Sequence, residues 1–474
     1  MTDTTAAVAA AVDERPEGTS SALARFAAEL TFADLPDGVV RQLKRCVLDT
    51  LGCGLFGSTL PWGRLVTQLV ADAGSREVAT LWGTDVRSSP ADAALANGTY
   101  AHAFEYDEGH TASFFHPGSA TLPAVLGIAE QLGQVDGQRA LTALAAGYET
   151  GIRVGMALGY GSSWRGFHQQ GIVGTFCAAA GAGQLLGLEP SRMLHGIGAA
   201  GSQGGGLMSA QFGAMVKRFH AGRAAQAGVY SAILASRGFT GTVDILEAPT
   251  GGFLTTMSEA PDASLVLAEL GSRWETEKVG FKVYPAVGAS HTSIWALGEL
   301  MREHSLRPED ITKVVVRGNK HLVVHAFWEY EPNGVTAAQI NLPYLLTVLI
   351  HEGEVFVDQF SEDRINNPDY VAYSRRITAV IDPVLDKNPP HLRNHVIVEV
   401  TLADGRQLTA EVPVRHGSET DPLTDAEVHD KFRRLATRVL PVSAADEIIA
   451  AVTDLERLDD LAELGALLRA RRAK

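Results

Sequence analysis

Cysteine is scarce in this chain of 474 residues: Cys46, Cys53 and Cys177 share no CxxC spacing. That excludes a disulfide framework and gives no support to a cysteine-ligated iron–sulfur cluster, so a reduced, cytoplasmic protein is expected. Positive charge is also short. Forty Lys and Arg against 55 Asp and Glu leave a formal charge of −15, and the one basic run is the terminal RARRAK. Nucleic acid and anionic membrane are therefore not expected partners, although a few cations in a desolvated cleft could still hold a small anion. Residues 1–20 lack a basic stretch ahead of their small apolar run and are expected to form a disordered tail rather than a signal peptide. A long strongly apolar run is missing too: the uncharged stretch Gly171–Leu188 is rich in Gly and Ala and predicts a close-packed buried helix.

Several catalytic signatures are absent as well. There is no HExxH, no GxSxG and no GK[ST] ending to a glycine-rich loop, which removes support for a zincin, an α/β-hydrolase or a P-loop nucleotide site. The string GIGAAG, Gly196–Gly201, is a literal GxGxxG, but it follows the helix-like SRMLH and no strand–turn–helix unit surrounds it. Nicotinamide or flavin binding is not expected, and no cofactor is predicted.

What is present is helical periodicity. Val40, Leu43, Val47, Leu51 and Leu55 recur at three- and four-residue spacing, and similar faces follow in TLPAVLGIAEQLG and QRALTALAAGYETGIRVGMAL. Near Gly271 the composition changes. KVVVRG and HVIVEVTLADGRQLTAEVPV bring period-two alternation, with Asp404 and Gly405 suited to a hairpin turn. Helix returns at TDAEVHDKFRRLATRVL, where Thr424 and Glu427 make a capping-box pattern. The expectation is a mainly α protein: a large helical domain from 21–270 plus 420–474, with a smaller α+β lid domain, 271–419, inserted in it and a site in the cleft between them.

Four segments place polar groups in apolar surroundings, where unpaired polar atoms are costly. AHAFEYDEGHTASFFHPG holds His102, Glu105, Asp107, His110 and His116; WRGFHQQG holds Arg165 and His168; GAMVKRFHAGRAAQ holds Lys217, His220 and Arg223; KVYPAVGASH holds Lys282, Tyr284 and His291. A base beside fixed cations is what proton abstraction next to a carboxylate requires. Each group also has a plainer reading. Asp107 and Glu108 can be caps or solvated charges, His102 a hydrogen-bonded structural histidine, Lys217 and Arg223 an exposed helix face, Lys282 the turn into the second domain. The first cluster could instead ligate a metal and make a metal-dependent lyase or hydrolase, but its histidines lack i, i+4 spacing and no metal is predicted.

Taken in order from about Phe26 to Leu440, these segments, with CVLDTLGCGLFGS before them and AAQINLPYLL after, resemble the MmgE/PrpD family. The resemblance implies a homodimer with a metal-free site, acting as a lyase or isomerase on a small di- or tricarboxylate. Dehydration like that of 2-methylcitrate dehydratase is expected first, with epimerisation or decarboxylation as the other outcomes. By motif it implies Glu105, Asp107, His116, His168, Lys217, Lys282 and Tyr344 as catalytic residues. His110 and His291 join Lys217 and Lys282 as substrate contacts. The chain departs from the family pattern at Glu105, Gly109 and Val287, which admits a second class of function: a member without catalysis that binds a polycarboxylate or a partner.

Overall fold

A computed structural model describes residues 18–389 and 392–469. The expected tail falls largely on residues 1–17, outside the described residues. Thr19 and Ser20 already open the first helix, α1 (Thr19–Glu29), whose Leu23, Ala24 and Ala27 are buried and whose Ser20 amide donates to Glu247 Oε1 at 3.1 Å.

The protein is mainly α, as its periodicity predicts. The longer helices of the first half are α2 (Asp37–Ser58), α3 (Pro61–Asp72), α4 (Pro90–Ala101), α5 (Gly118–Leu132), α6 (Gly137–Leu158), α7 (Gln169–Leu185), α8 (Pro190–Gly201) and α9 (Val216–Ser236). GIGAAG lies inside α8, which disposes of the dinucleotide reading of that string. The uncharged stretch forms α7, buried along almost its whole length between α6 and α9, and no helix among the described residues is long and apolar enough to cross a membrane. Close packing explains the glycines here. A Cβ on Gly222 of α9 would stand 2.0 Å from the Leu95 carbonyl of α4, so only glycine lets these two helices touch.

The second half carries α10 (His291–His304), β1 (Ile311–Gly318), α11 (Leu342–Glu352), β2 (Ile377–Ile381), β3 (Val396–Leu402) and β4 (Gln407–Val412). The sheet order is β2-β1-β3-β4, with β1 parallel to β2 and antiparallel to β3. In β3 every second residue, from Val396 to Leu402, is buried, as the alternation predicts. The β3–β4 turn puts Gly405 at φ +88°, a left-handed conformation that costs glycine nothing. α10 covers β3 and β4.

Two large buried clusters divide most of the chain, beside a small third one around Val66, Leu81 and Tyr100. One gathers side chains from Leu23 to Phe281 and again from Leu423 to Leu468. The other runs from Ala286 to Leu402 and takes in Cys53, Phe104, Tyr106 and Leu435 from the helical part. The seam between them is where Phe104–Tyr106 lie. α12 (Asp425–Ala436) starts on the predicted Thr424/Glu427 capping box and returns to α2, where Phe432 Cα would be 3.3 Å from a Cβ on Gly52. Fully burying a side chain such as Phe432 contributes about 1.5–3 kcal/mol, and it carries its neighbour Lys431 to the seam.

Candidate functional site

Two helix ends and one loop build the centre of the seam. α4 stops at Ala101, His102 caps it, and the chain then runs irregularly to Gly118, where α5 begins. α7 starts just after His168, and the first turn of α9 supplies Lys217, Arg218 and His220. A two-residue ladder, Gly109–His110 against Val279–Gly280, brings Lys282 alongside.

Asp107 is fully buried, and its Oδ2 lies 2.8 Å from His102 Nδ1 and 3.5 Å from His116 Nδ1. Burial works to raise the Asp107 pKa, but His116, His102 and Lys282 outweigh it and hold the carboxyl ionised, well below the usual range. An ionised carboxylate only accepts, so His102 Nδ1 carries the proton that it donates to Asp107. Burial keeps the His102 ring neutral, down to about 3, against the pull of Asp107. Its Nε2 is then a lone pair, and it has no hydrogen-bond partner. His116 Nδ1 likewise donates to the Glu108 carbonyl at 2.7 Å, and burial lowers its pKa against Asp107's opposing charge. The His116 ring, unlike His102, is partly open, with 21% of its side chain exposed. His168 and His220 share a proton between their Nδ1 atoms at 2.9 Å, and burial with three neighbouring imidazoles pulls His168 well below its ordinary value. Four neutral imidazoles thus form a chain whose adjacent ring centres lie 5.1–5.8 Å apart.

Beside them lies a cluster of cations. The Glu105 carboxylate is met by Lys217, by Arg218 at 2.6 Å and by Lys282 at 3.3 Å, and Lys282 also donates to the Glu105 carbonyl at 2.9 Å. Glu105 has φ +55°, a left-handed conformation unfavourable for a residue with a Cβ; three charge-assisted contacts hold it there. Burial, with Arg218 and Lys282 alongside, draws the Lys217 ammonium well below its usual range. Burial also brings Lys282 down to about 8; Asp107 opposes that shift, while Arg415 and Arg218 add to it. Arg218 reaches Gln339 Oε1 at 3.0 Å, and Gln339 Nε2 donates to the Phe104 and Pro285 carbonyls, so the second half of the chain braces the cation cluster.

Behind Asp107 a second buried network sets the loop. Asp49 pairs with Lys431 at 2.6 Å and accepts the Glu108 amide at 2.8 Å; Lys431 also donates to the carbonyls of Tyr106 and Lys282. The Glu108 side chain accepts from the Gly118 amide and the Tyr148 hydroxyl. Burial, then Asp49 and Asp107, push its pKa up to about 8.

Six of the sequence candidates therefore meet: Glu105, Asp107, His116, His168, Lys217 and Lys282. Tyr344 does not join them by any contact. It is fully buried in α11, donating to the Gln359 carbonyl at 2.6 Å with its ring against Tyr330 and Phe360. His110 faces Glu275, 3.6 Å away, and Ser113. His291 is buried against Tyr284 with Nε2 at 3.3 Å from the Ala286 carbonyl. Arg223 faces outward and Arg165 is exposed. Sequence reasoning treated His102 as structural, named His220 without giving it a role, and passed over Arg218, Gln339 and Lys431. Arg218 was within reach: it adjoins Lys217 in KRFH, where three-residue spacing also puts His220 on the same helical face as Lys217. Of the five residues in the metal reading, His102, Asp107 and His116 offer ligand atoms within 4.8 Å of one another; Glu105 and His110 are engaged elsewhere.

Comparison with known proteins places this geometry in context. Residues 21–266 match the MmgE/PrpD N-terminal domain and residues 284–457 the MmgE/PrpD C-terminal domain. The chain is 33% identical to the cis-aconitate decarboxylase-like protein oryM of Aspergillus oryzae, over 96% of this chain and 98% of that protein. It is 30% identical to cis-aconitate decarboxylase of Aspergillus terreus, over 95% and 96%. It is 24% identical to 2-methylcitrate dehydratase of Escherichia coli K12, over 88% and 90%.

Proposed function

Because the chain belongs to the MmgE/PrpD family, we propose that it is a metal-free lyase acting beside a carboxylate of a small di- or tricarboxylate, either removing a proton and expelling water to leave a double bond, or releasing carbon dioxide and protonating the carbon left behind. The observation that carries this reading is the trio Lys217, Arg218 and Lys282 converging on one carboxylate next to neutral imidazoles. Glu105 stands where a substrate carboxylate would be held. When substrate displaces it, the three cations stabilise the negative charge that grows on the substrate oxygens as the neighbouring C–H bond breaks.

His116 is the base, an imidazole with partial exposure whose Nδ1 proton the Glu108 carbonyl holds, which leaves Nε2 as the lone pair. Asp107 is a positioning residue: fully enclosed, it fixes the proton on Nδ1 of His102 and puts a negative charge 3.5 Å from His116, whose Nδ1 proton the Glu108 carbonyl holds. The His168–His220 pair supplies the proton for a leaving hydroxyl or for return to carbon. The reading includes a homodimer, supported by the exposed apolar side chains Met215, Val216, Tyr230, Leu234 and Phe239 along and after α9.

The test is proton NMR in deuterated buffer with EDTA, offering citrate-like, aconitate-like and hydroxydicarboxylate compounds. Deuterium incorporation, loss of water or loss of carbon dioxide in the presence of chelator is expected. Turnover abolished by EDTA and restored by a divalent ion would overturn the metal-free reading, while polycarboxylate binding with no exchange would favour a binding protein.

A further inference from the structure

An open space lies outside this cluster. A cavity of about 890 Å³ is lined by the loop His110–Phe114 on one side and by Asn319–His325 and Arg393 on the other, with Tyr160 and Trp164 between them. That is ample for a small organic ligand. None of Asp107, His116, His168, Lys217 or Lys282 lines it. The loop separates the two spaces: its ends carry Asp107 and His116, while His110, Thr111, Ala112 and Phe114 face the cavity.

The walls are aromatic and apolar. Phe114, held at φ +51°, stacks on Tyr160 at 3.8 Å, and Tyr160 meets His321, which stacks on His325. Met156 and Val324 add aliphatic surface. Against this wall stands a half-buried cation without a carboxylate partner among the described residues. The Arg393 guanidinium lies over the Phe114 ring at 4.6 Å, and its Nε is buried without a hydrogen-bond partner. Lys278, by contrast, is neutralised by Glu275 at 3.0 Å. Burial lowers the Arg393 pKa, the effect expected of a cation short of counter-charge.

We propose that this cavity is a second binding site, taking an amphiphilic monoanion: a carboxylate on an aliphatic or aromatic body, with the anionic head on Arg393 and the body against Phe114, Tyr160, Trp164 and Val324. Arg393, the lining cation with a buried and unpartnered Nε, matches one negative charge, while Lys320, also in the lining, is exposed to solvent. A polycarboxylate does not fit, because its further charges would be desolvated against aromatic rings and would meet Glu419 in the same lining. The apolar walls reward chain length, so affinity rises by about fourfold per added methylene until the cavity is filled.

The experiment is isothermal titration of the full-length protein with butanoate, hexanoate and octanoate, repeated in saturating citrate. Saturable binding that strengthens with chain length and survives citrate is expected. Arg393→Met should weaken octanoate by about tenfold or more, while Arg393→Lys, which keeps the charge, should stay much closer to the native protein. Ala112→Trp, which fills the cavity and leaves the charge in place, should abolish binding and so covers the case where Arg393→Met fails to fold. Absence of saturable binding, binding unchanged in Arg393→Met or Ala112→Trp, or displacement of octanoate by citrate would overturn the proposal. The last result would make the cavity part of the polycarboxylate site and leave the proposed reaction standing.

Discussion

Asp107 Oδ2 stands 2.8 Å from His102 Nδ1 and 3.5 Å from His116 Nδ1, so one enclosed carboxylate sets the tautomer of His102 and lays its charge beside His116, whose own Nδ1 proton goes to the Glu108 carbonyl. Asp107→Asn offers an amide where the His102 ring needs an acceptor and removes the charge beside His116. Turnover is expected to fall on the order of 10²- to 10⁴-fold with little change in KM, measured by steady-state kinetics on whichever polycarboxylate the NMR panel identifies.

Replacing Lys217 or Lys282 with Ala removes charge from where it develops in the reaction. A loss of about 10²- to 10³-fold in kcat is expected. Either variant turning over at the native rate would sink the proposed role of the cation cluster.

The pH profile should show the same group. Burial brings Lys282 down to about 8, so its ammonium is lost as pH rises through that value, and kcat/KM of the native enzyme should decline there. Lys282→Arg stays charged and should extend the plateau upward, even if its maximum is lower.

Glu105→Gln keeps the shape but leaves three buried cations without their carboxylate, which destabilises the empty protein by about 3–5 kcal/mol. Its melting temperature should drop below that of the native protein. At one fixed polycarboxylate concentration the variant, which has no internal carboxylate to displace, should bind more tightly and be rescued more than the native protein, by about 2.7 kcal/mol where that concentration is a hundredfold above the variant's Kd.

Glu108 tests the network behind the loop. Its pKa is raised to about 8 in the fold against an ordinary 4.5, so the folded state binds the proton more tightly than the unfolded chain. Its contribution to stability is complete below pH 4.5 and is lost as pH rises through 8. Glu108→Gln, permanently neutral, should flatten the melting temperature between pH 5 and 8.

Much of this was legible in the sequence because the site is made of short contiguous strings. His102 to His116 sit on one loop, and Lys217 with His220 on one helical turn, so local pattern found them. The hairpin at Gly405 and the Thr424/Glu427 cap were legible for the same reason. The Asp49–Lys431 pair was not, because it exists only once α12 has packed on α2, and no local signal links the two ends of the chain. Glu105 was found as an acidic residue, but its part depends on a left-handed backbone and on cations from two distant segments, neither of which one sequence displays. Tyr344 shows the converse: the string LPY matched, yet its hydroxyl is directed to the Gln359 carbonyl.

The cations around Glu105 are never bare. A ligand carboxylate arriving there swaps places with one the protein already supplies, so it gains only the difference between two similar ion clusters. On the proposed reading, ground-state affinity is expected to be modest, and product, facing the same internal competitor, to leave readily. Glu105 would then act as a built-in release agent, one the protein carries in place of a solvent ion.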